Sequence, residues 1–376
     1  MGHLTWGQIE PFEKGFWEKN RIDLLHDEVV GIDHLNQSVE LKNGERLAYD
    51  QLVLATGSVP NKFGWKGQDY NGVQGLYSKQ DLELLEAKTP HIKRAVIVGG
   101  GLIGIELAEM LHSRDIPVTF LVREQHFWNN VIAAQESRMI EQQLRKHRID
   151  LHLQTNLVEI LGDDNDQVVG VKTDQDEIIP CEFVGLTAGV RPNIDFLHNT
   201  AIERNRGILV DDYLQTNLPN IFAIGDCAEI RQPKSHRRSI EAVWYVGRMM
   251  GETLAITLSG QKKMYSPSHW FNSAKFFDLE YQTYGNISPE ENENEAHFMW
   301  QHPTKSLAIR MAYQPKTQQF LGINAFGLRL RHECFENWLN EKVSISHVIT
   351  RLDDANFDPE FYTQYHKNIK TLWKTE

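Results

Sequence analysis

Three cysteines in 376 residues (Cys181, Cys227, Cys334), widely spaced and without a C-x-x-C pair, provide no disulfide framework. Such a chain suits a reducing compartment, and the expectation is cytoplasmic. No stretch approaches the roughly 18 consecutive apolar residues of a membrane span. The N-terminus, MGHLTWGQIEPFEKGFW, lacks the charged-then-apolar order of a secretory signal. Positive charge is short: 39 Lys and Arg against 51 Asp and Glu leave a net charge of -12, which argues against nucleic acid as a main partner. The 16 histidines fall in no H-E-x-x-H or other ligating spacing, so no metal is expected.

What remains is the composition of a globular protein, 41% hydrophobic and 24% charged, long enough for two or three domains. Residues 21–60 read as short strands, with a hairpin turn at Asn43-Gly44 and an apolar run, QLVLATGSVP, that ends in a glycine turn. From about residue 93 strands and helices alternate. KRAVIVGGG reads as a buried parallel strand, LIGIELAEMLHSR as a helix, PVTFLV as a second strand and SRMIEQQLRKHR as a second helix. QVVGVKTDQDEIIP is a hairpin about Asp174-Gln175-Asp176, SIEAVWYVGRMMGETLAITLSG reads as a helix, and the chain turns strand-rich and aromatic from about 265. PEENENE (289–295) reads as an exposed loop.

The sharpest local signal is VIVGGGLIGIELAEML. Gly99, Gly101 and Gly104 form G-x-G-x-x-G between an expected strand and an expected helix, the context of a dinucleotide site. The first glycine permits the tight turn, the second lets backbone approach a pyrophosphate, and the third lets helix pack on strand. The amides of Leu102, Ile103 and Gly104 open the helix and face the phosphates. Glu124 follows Gly104 by 20 positions, where ribose hydroxyls are read. Arg123 beside it is suited to a 2′-phosphate, so both NADH and NADPH stay open, with NADH favoured.

A second signal is split. Ala55-Thr56-Gly57 follows one apolar run and Gly225-Asp226 another, in TNLPNIFAIGDCAE. With the glycine motif at 99–106 and AGVRPN at 188–193, these four ordered segments resemble the pyridine nucleotide–disulfide oxidoreductase superfamily over about residues 20–260. The resemblance implies an α/β protein: an FAD-binding Rossmann-like domain (1–80 and 196–262), an inserted NAD(P)-binding Rossmann domain (81–195) and a smaller α+β C-terminal domain (263–376). It implies FAD and NAD(P)H as cofactors. By the same resemblance Asp226 holds the flavin's ribityl chain, and Val29, Ala55, Thr56, Gly57, Gly189 and Gly225 lie at the cofactors. Glu106 lies near the reacting rings, and Glu241, Ala242 and Trp244 open the helix that faces the flavin.

Two departures shape the expectation. The family's own FAD fingerprint precedes these motifs, and residues 1–50 contain none. The expectation is that the chain as given begins downstream of it and holds FAD poorly. No redox cysteine pair is visible, and His302-Pro303 lies too far from the terminus to be the disulfide reductases' catalytic motif. The chain therefore resembles the members without a disulfide: rubredoxin, ferredoxin, nitrite and monodehydroascorbate reductases. The expected activity is NAD(P)H-dependent reduction of flavin, then of a small-molecule acceptor or an acidic carrier of ferredoxin or rubredoxin type docking on Arg231, Lys234, His236, Arg237 and Arg238. Cys227 reads as a small buried thiol, Lys275 as a residue within reach of the flavin, and a homodimer stays open. Alternatives are a type II NADH:quinone dehydrogenase, and a non-catalytic NAD-binding protein without flavin.

Overall fold

The structure, a computed structural model, describes residues 4–234, 237–358, 360 and 363–374; His236 lies outside the described residues. Two compact units divide the chain: Met1–Val59, Arg191–Pro233 and Arg238–Pro267 form one, and Pro60–Val190, Lys234–Arg237 and Ser268–Glu376 the other. The protein is α/β throughout.

The first unit carries an antiparallel meander of Val29–Asp33, Ser38–Leu41 and Arg46–Ala48. Its second turn is Asn43-Gly44, where Gly44 takes φ +89°. Two parallel pairs follow, Leu52–Leu54 with Ile221–Ala223 and Ile208–Val210 with Ala228–Ile230. The helix Trp244–Leu258 closes the unit. Regular strand begins only at Val29: Leu24 and Leu25, read from the sequence as strand, lie exposed with no strand partner to satisfy their backbone. The helix expected from Ser239 starts instead at Trp244. Val243 is extended (φ -140°, ψ 131°) and its N–H bonds Glu241, so Glu241 and Ala242 precede the first turn.

In the second unit a five-stranded parallel sheet runs in the order Val73–Gln74, Phe183–Leu186, Ala95–Val98, Val118–Val122, Asp150–Leu153. Ala95–Val98 and Val118–Val122 are buried at every position, as strands covered on both faces must be, and unbroken apolar sequence meets that demand. The crossover helices are Leu102–His112 and Ala134–Lys146. A three-stranded antiparallel sheet, Leu157–Gly162, Val168–Thr173 and Ile178–Pro180, contains the expected hairpin.

From Phe271 a second five-stranded sheet, all antiparallel, pairs Phe271–Phe276, Leu279–Gly285, Phe320–Phe326, Ala308–Tyr313 and Ala296–Gln301 in that order. Helices His332–Asn340, Ile345–Thr350 and His366–Trp373 share a core with it through Phe335, Ile345, Val348 and Ile369. Its aromatic residues Phe276, Phe277, Tyr281 and Phe326 also join the core of Leu111, Phe120 and Leu144, so the parallel sheet's helices and the C-terminal sheet bury one apolar surface. Glu109 adds a polar tie by accepting the Phe277 N–H at 2.7 Å. Among the described residues no helix is long and apolar enough to cross a membrane.

Candidate functional site

The glycine turn at 99–104 is built as its sequence requires. Gly99 adopts φ +113°, and a side chain there would stand 2.8 Å from the Thr187 carbonyl. A Cβ on Gly104 would sit 2.9 Å from Gly99 O, 2.9 Å from Thr187 Oγ1 and 3.0 Å from Phe120, so only glycine lets this helix lie against its strand. Gly101 differs. Its backbone is ordinary (φ -119°, ψ -178°), and a Cβ would meet nothing within 4 Å. As N-cap of Leu102–His112 it has no side chain to offer, leaving the amides of Leu102, Ile103 and Gly104 as the free positive end of an 11-residue helix. Open space above unpaired N–H groups is what a pyrophosphate fills, so the turn fits a dinucleotide.

Thr187, which sequence reading passed over, closes the back of this turn. Its N–H bonds Val98 O at 2.9 Å and its hydroxyl donates to Val98 O at 3.1 Å. Gly189 follows at φ +84°, its carbonyl accepting the Asn61 N–H at 3.1 Å. Arg123 and Glu124 stand at the end of the next strand. The Arg123 guanidinium is largely exposed and donates to Glu124 Oε1 at 2.8 Å, while the carboxylate is only 26% exposed. The two side chains are thus tied to each other at the strand end, and the expectation that Glu124 reads a ribose is open to a direct test. Glu124→Ala is expected to raise the NADPH-to-NADH ratio of kcat/KM about tenfold, equivalent to roughly 1.4 kcal/mol. An unchanged ratio would remove Glu124 from the ribose.

Glu106 projects from the same helix one turn beyond Gly101. Surrounding protein, and then the neighbouring Glu109 charge, push its carboxyl pKa upward, although the residue itself is exposed.

The other cluster lies in the first unit. Parallel pairing of Leu52–Leu54 with Ile221–Ala223 brings two distant turns side by side, and the Ile224 N–H bonds Leu54 O at 3.0 Å. Ala55, Thr56 and Gly57 (φ +67°) leave one strand; Gly225 (φ +71°) and Asp226 leave the other. Thr56 donates to Asn193 O at 2.7 Å and Gly57 O accepts the Asn193 N–H, so the AGVRPN segment braces the ATG turn. Ser58 donates to Asp226 Oδ2 at 3.0 Å and orients the carboxylate, a contact across 168 residues that no local pattern announces. The Cβ position of Gly225 is open, and Gly247 on helix Trp244–Leu258 approaches it closely. A braced carboxylate beside bare glycine backbone suits the hydroxyls of a ribityl chain. The Cys227 thiol beneath is fully buried, donates to Leu54 O and is pushed up in pKa by burial, the state of an inert packing group. Trp244, the first residue of its helix, is 75% exposed, and Val29 lies on the meander's outer strand.

The remaining candidates are placed as follows. Lys275 lies on an edge strand opposite Glu280, whose carboxyl is held low first by the Arg329 guanidinium and then by Lys275. Arg231 pairs with Glu203 at 2.5 Å, and Arg237 sits over Trp270. The ring Nδ1 of His302 accepts the amides of Thr304 and Lys305, a turn-closing role.

Fold and turns together define an α/β protein with a glycine-rich strand–helix turn and a second strand-end turn that holds a carboxylate. Residues 7–251 match the model of the pyridine nucleotide-disulphide oxidoreductase family, and the chain belongs to that family. It is 34% identical over 218 residues to a nitrite reductase [NAD(P)H] of Bacillus subtilis, covering 57% of this chain and 27% of that protein. It is 29% identical over 287 residues to the 5,5′-dehydrodivanillate O-demethylase ferredoxin reductase subunit of Sphingobium, covering 76% and 69%. The chain spans only about a quarter of the length of the Bacillus reductase. A ferredoxin reductase structure from Rhodopseudomonas palustris superimposes with a TM-score of 0.78 at 22% identity, over 96% of this chain and 84% of that one, which shows a common fold. An NAD-dependent persulfide reductase from A. fulgidus does so with a TM-score of 0.82 at 21% identity, over 96% and 70%.

Proposed function

We propose that the protein is an FAD-dependent NAD(P)H oxidoreductase, and the observation that carries this reading is the open glycine cradle at Gly101 beneath unpaired helix amides. NADH is the favoured donor, because the partly buried Glu124 carboxylate accepts hydroxyls and repels a phosphate. The amides of Leu102, Ile103 and Gly104 neutralise the pyrophosphate, and Glu124 fixes the ribose. Asp226, oriented by Ser58, accepts hydrogen bonds from the ribityl hydroxyls, while Ala55, Thr56, Gly57 and Gly225 supply close backbone. Glu241, Ala242 and Trp244 lead into the helix whose first amides favour negative charge. Glu106 holds or releases a proton near the rings. The flavin, when bound, accepts hydride from nicotinamide and passes electrons on singly or in pairs.

The acceptor is a small redox protein or a small molecule. The basic residues Arg231, Lys234, Arg237 and Arg238 on an acidic chain support an acidic carrier, and the relatives' names include ferredoxin and rubredoxin reductases. The place of work is the cytoplasm, supported by three unpaired cysteines. The domains follow the FAD, NAD(P) and C-terminal division set out from the sequence.

The protein, given FAD in excess, is expected to bind it weakly, since residues 1–50 contain no second glycine fingerprint, and in that state to oxidise NADH with loss of the flavin's visible absorbance under anaerobic conditions. Asp226→Ala is expected to weaken FAD binding at least tenfold, as the loss of charge-assisted hydrogen bonds worth roughly 1.5–3 kcal/mol each implies. Titration of FAD fluorescence measures this. A chain that binds neither FAD nor nicotinamide nucleotide overturns the reading.

A further inference from the structure

We propose that Glu141, on helix Ala134–Lys146, is the positioning residue for the adenosine half of the nicotinamide coenzyme, acting through His126 and Phe127. The inference rests on the reading of Gly99–Gly104 and Glu124 as that coenzyme's site.

Glu141 is only 3% exposed, yet it is a carboxylate. Its Oε1 accepts the Phe127 N–H at 3.2 Å and lies 3.0 Å from His126 Nδ1. Arg145, one turn further along the helix, stands 4.0 Å from Oε2. These groups come from two elements, the helix and the segment that follows strand Val118–Val122. Burying a carboxylate costs several kcal/mol unless donors meet it, so the carboxylate and the two donors of this segment hold each other in one arrangement.

The segment held is the one that carries the coenzyme-reading residues. Glu124 precedes His126 by two positions and Phe127 by three. On its sheet side the backbone is fixed by Gln154 N–H to Glu124 O and Thr155 N–H to Val122 O, both at 3.0 Å. Beyond that point the chain leaves the sheet, and Glu141 takes over its anchoring. The Phe127 ring is fully buried, and a Cβ added to Gly100 would stand 3.5 Å from its Cδ2 and 3.0 Å from Val122. One carboxylate therefore fixes both the loop bearing Arg123 and Glu124 and the ring that supports the middle of the glycine turn. Two walls of the adenosine site share this tie. The site reaches its preferred coenzyme geometry only while that tie holds, since displacements of about 1 Å are enough to degrade a positioned contact.

The test uses Glu141→Gln, which keeps an acceptor for the Phe127 N–H but removes the charge, and Glu141→Leu, which removes both. Calorimetric titration with NADH, NADPH and ADP-ribose measures affinity directly, independent of flavin and of turnover. Glu141→Leu is expected to bind ADP-ribose at least tenfold more weakly than the unaltered protein, and Glu141→Gln a few-fold more weakly. In both, the NADPH-to-NADH ratio of Kd is expected to move at least threefold, a change that general loosening of the fold does not produce. If Glu141→Leu fails to fold, Glu141→Gln alone decides by that ratio. Unaltered ADP-ribose affinity and an unaltered ratio in every folded variant overturn the inference while the coenzyme reading stands. Absence of nucleotide binding by the unaltered protein overturns the coenzyme reading itself.

Discussion

Replacing Gly101 with valine is expected to abolish nicotinamide-nucleotide binding while leaving the chain folded. The residue sits at φ -119° and ψ -178°, extended backbone that a β-branched residue adopts without strain, and its Cβ would meet no protein atom within 4 Å. The valine methyls therefore project into the space above the Leu102, Ile103 and Gly104 amides, where a pyrophosphate has to come within hydrogen-bond distance. Loss of two or more such charge-assisted bonds at about 1.5–3 kcal/mol each weakens binding by at least a hundredfold. Gly104→Val makes the contrasting case. Its Cβ would collide with Gly99 O, Thr187 Oγ1 and Phe120, so the helix must move off the sheet and stability falls by several kcal/mol. Calorimetric titration with NADH and a thermal melt distinguish the two. A Gly101→Val protein that binds NADH with unchanged affinity removes the cradle from the site; one that melts like Gly104→Val shows the space to be structural.

This contrast also marks what was legible in the sequence. The demands of the glycine turn are local: positive φ at Gly99 and close packing at Gly104 both fall within six residues, between a strand with no polar residue and a helix with a clear apolar face. The parallel strands were readable because both faces are buried and the sequence is unbroken Ala, Val, Ile, Leu and Phe with one threonine. Contacts closed by tertiary folding were not. Ser58 meets Asp226 across 168 positions, and Thr187 meets the glycine turn across 88, with no spacing rule to link them. Val73–Gln74, a two-residue strand at the sheet's edge, is too short for any period to register. The start of helix Trp244–Leu258 was misread because Ile240, Ala242 and Val243 continue its apolar character although none is helical and Val243 is extended. Glu141 lies in SRMIEQQLRKHR, read from the sequence simply as a helix, and no local pattern marks this carboxylate as buried.

The largest effect on stability is expected at the buried pair of Glu136 and Arg310. Arg310 Nη2 lies 2.8 Å from Glu136 Oε2, with side chains 2% and 1% exposed, and the two residues come from helix Ala134–Lys146 and from the C-terminal sheet. Around them the Ala133 N–H donates to Glu136 at 2.9 Å, Asn324 Nδ2 donates at 3.3 Å, and Arg310 Nη1 donates to Ser288 O at 2.7 Å. Compensation is incomplete: among the described residues Glu136 Oε1, Arg310 Nε and Arg310 Nη2 have no hydrogen-bond partner, so Nη2 meets Glu136 as an ion pair only. Two ions this deep repay little more than their desolvation, but one alone repays none of it. Arg310→Met is thus expected to cost about 3–5 kcal/mol, a fall in Tm on the order of 10 °C. Adding Glu136→Gln removes the orphaned charge while retaining an acceptor for the Ala133 N–H. The double variant is expected to recover most of the loss, to within about 1–2 kcal/mol of the unaltered protein, a coupling of roughly 2–3 kcal/mol. Differential scanning calorimetry of four proteins, with Glu136→Gln alone completing the set, measures the cycle. Equal losses in the single and double variants would show that Arg310 matters through its packing rather than its charge.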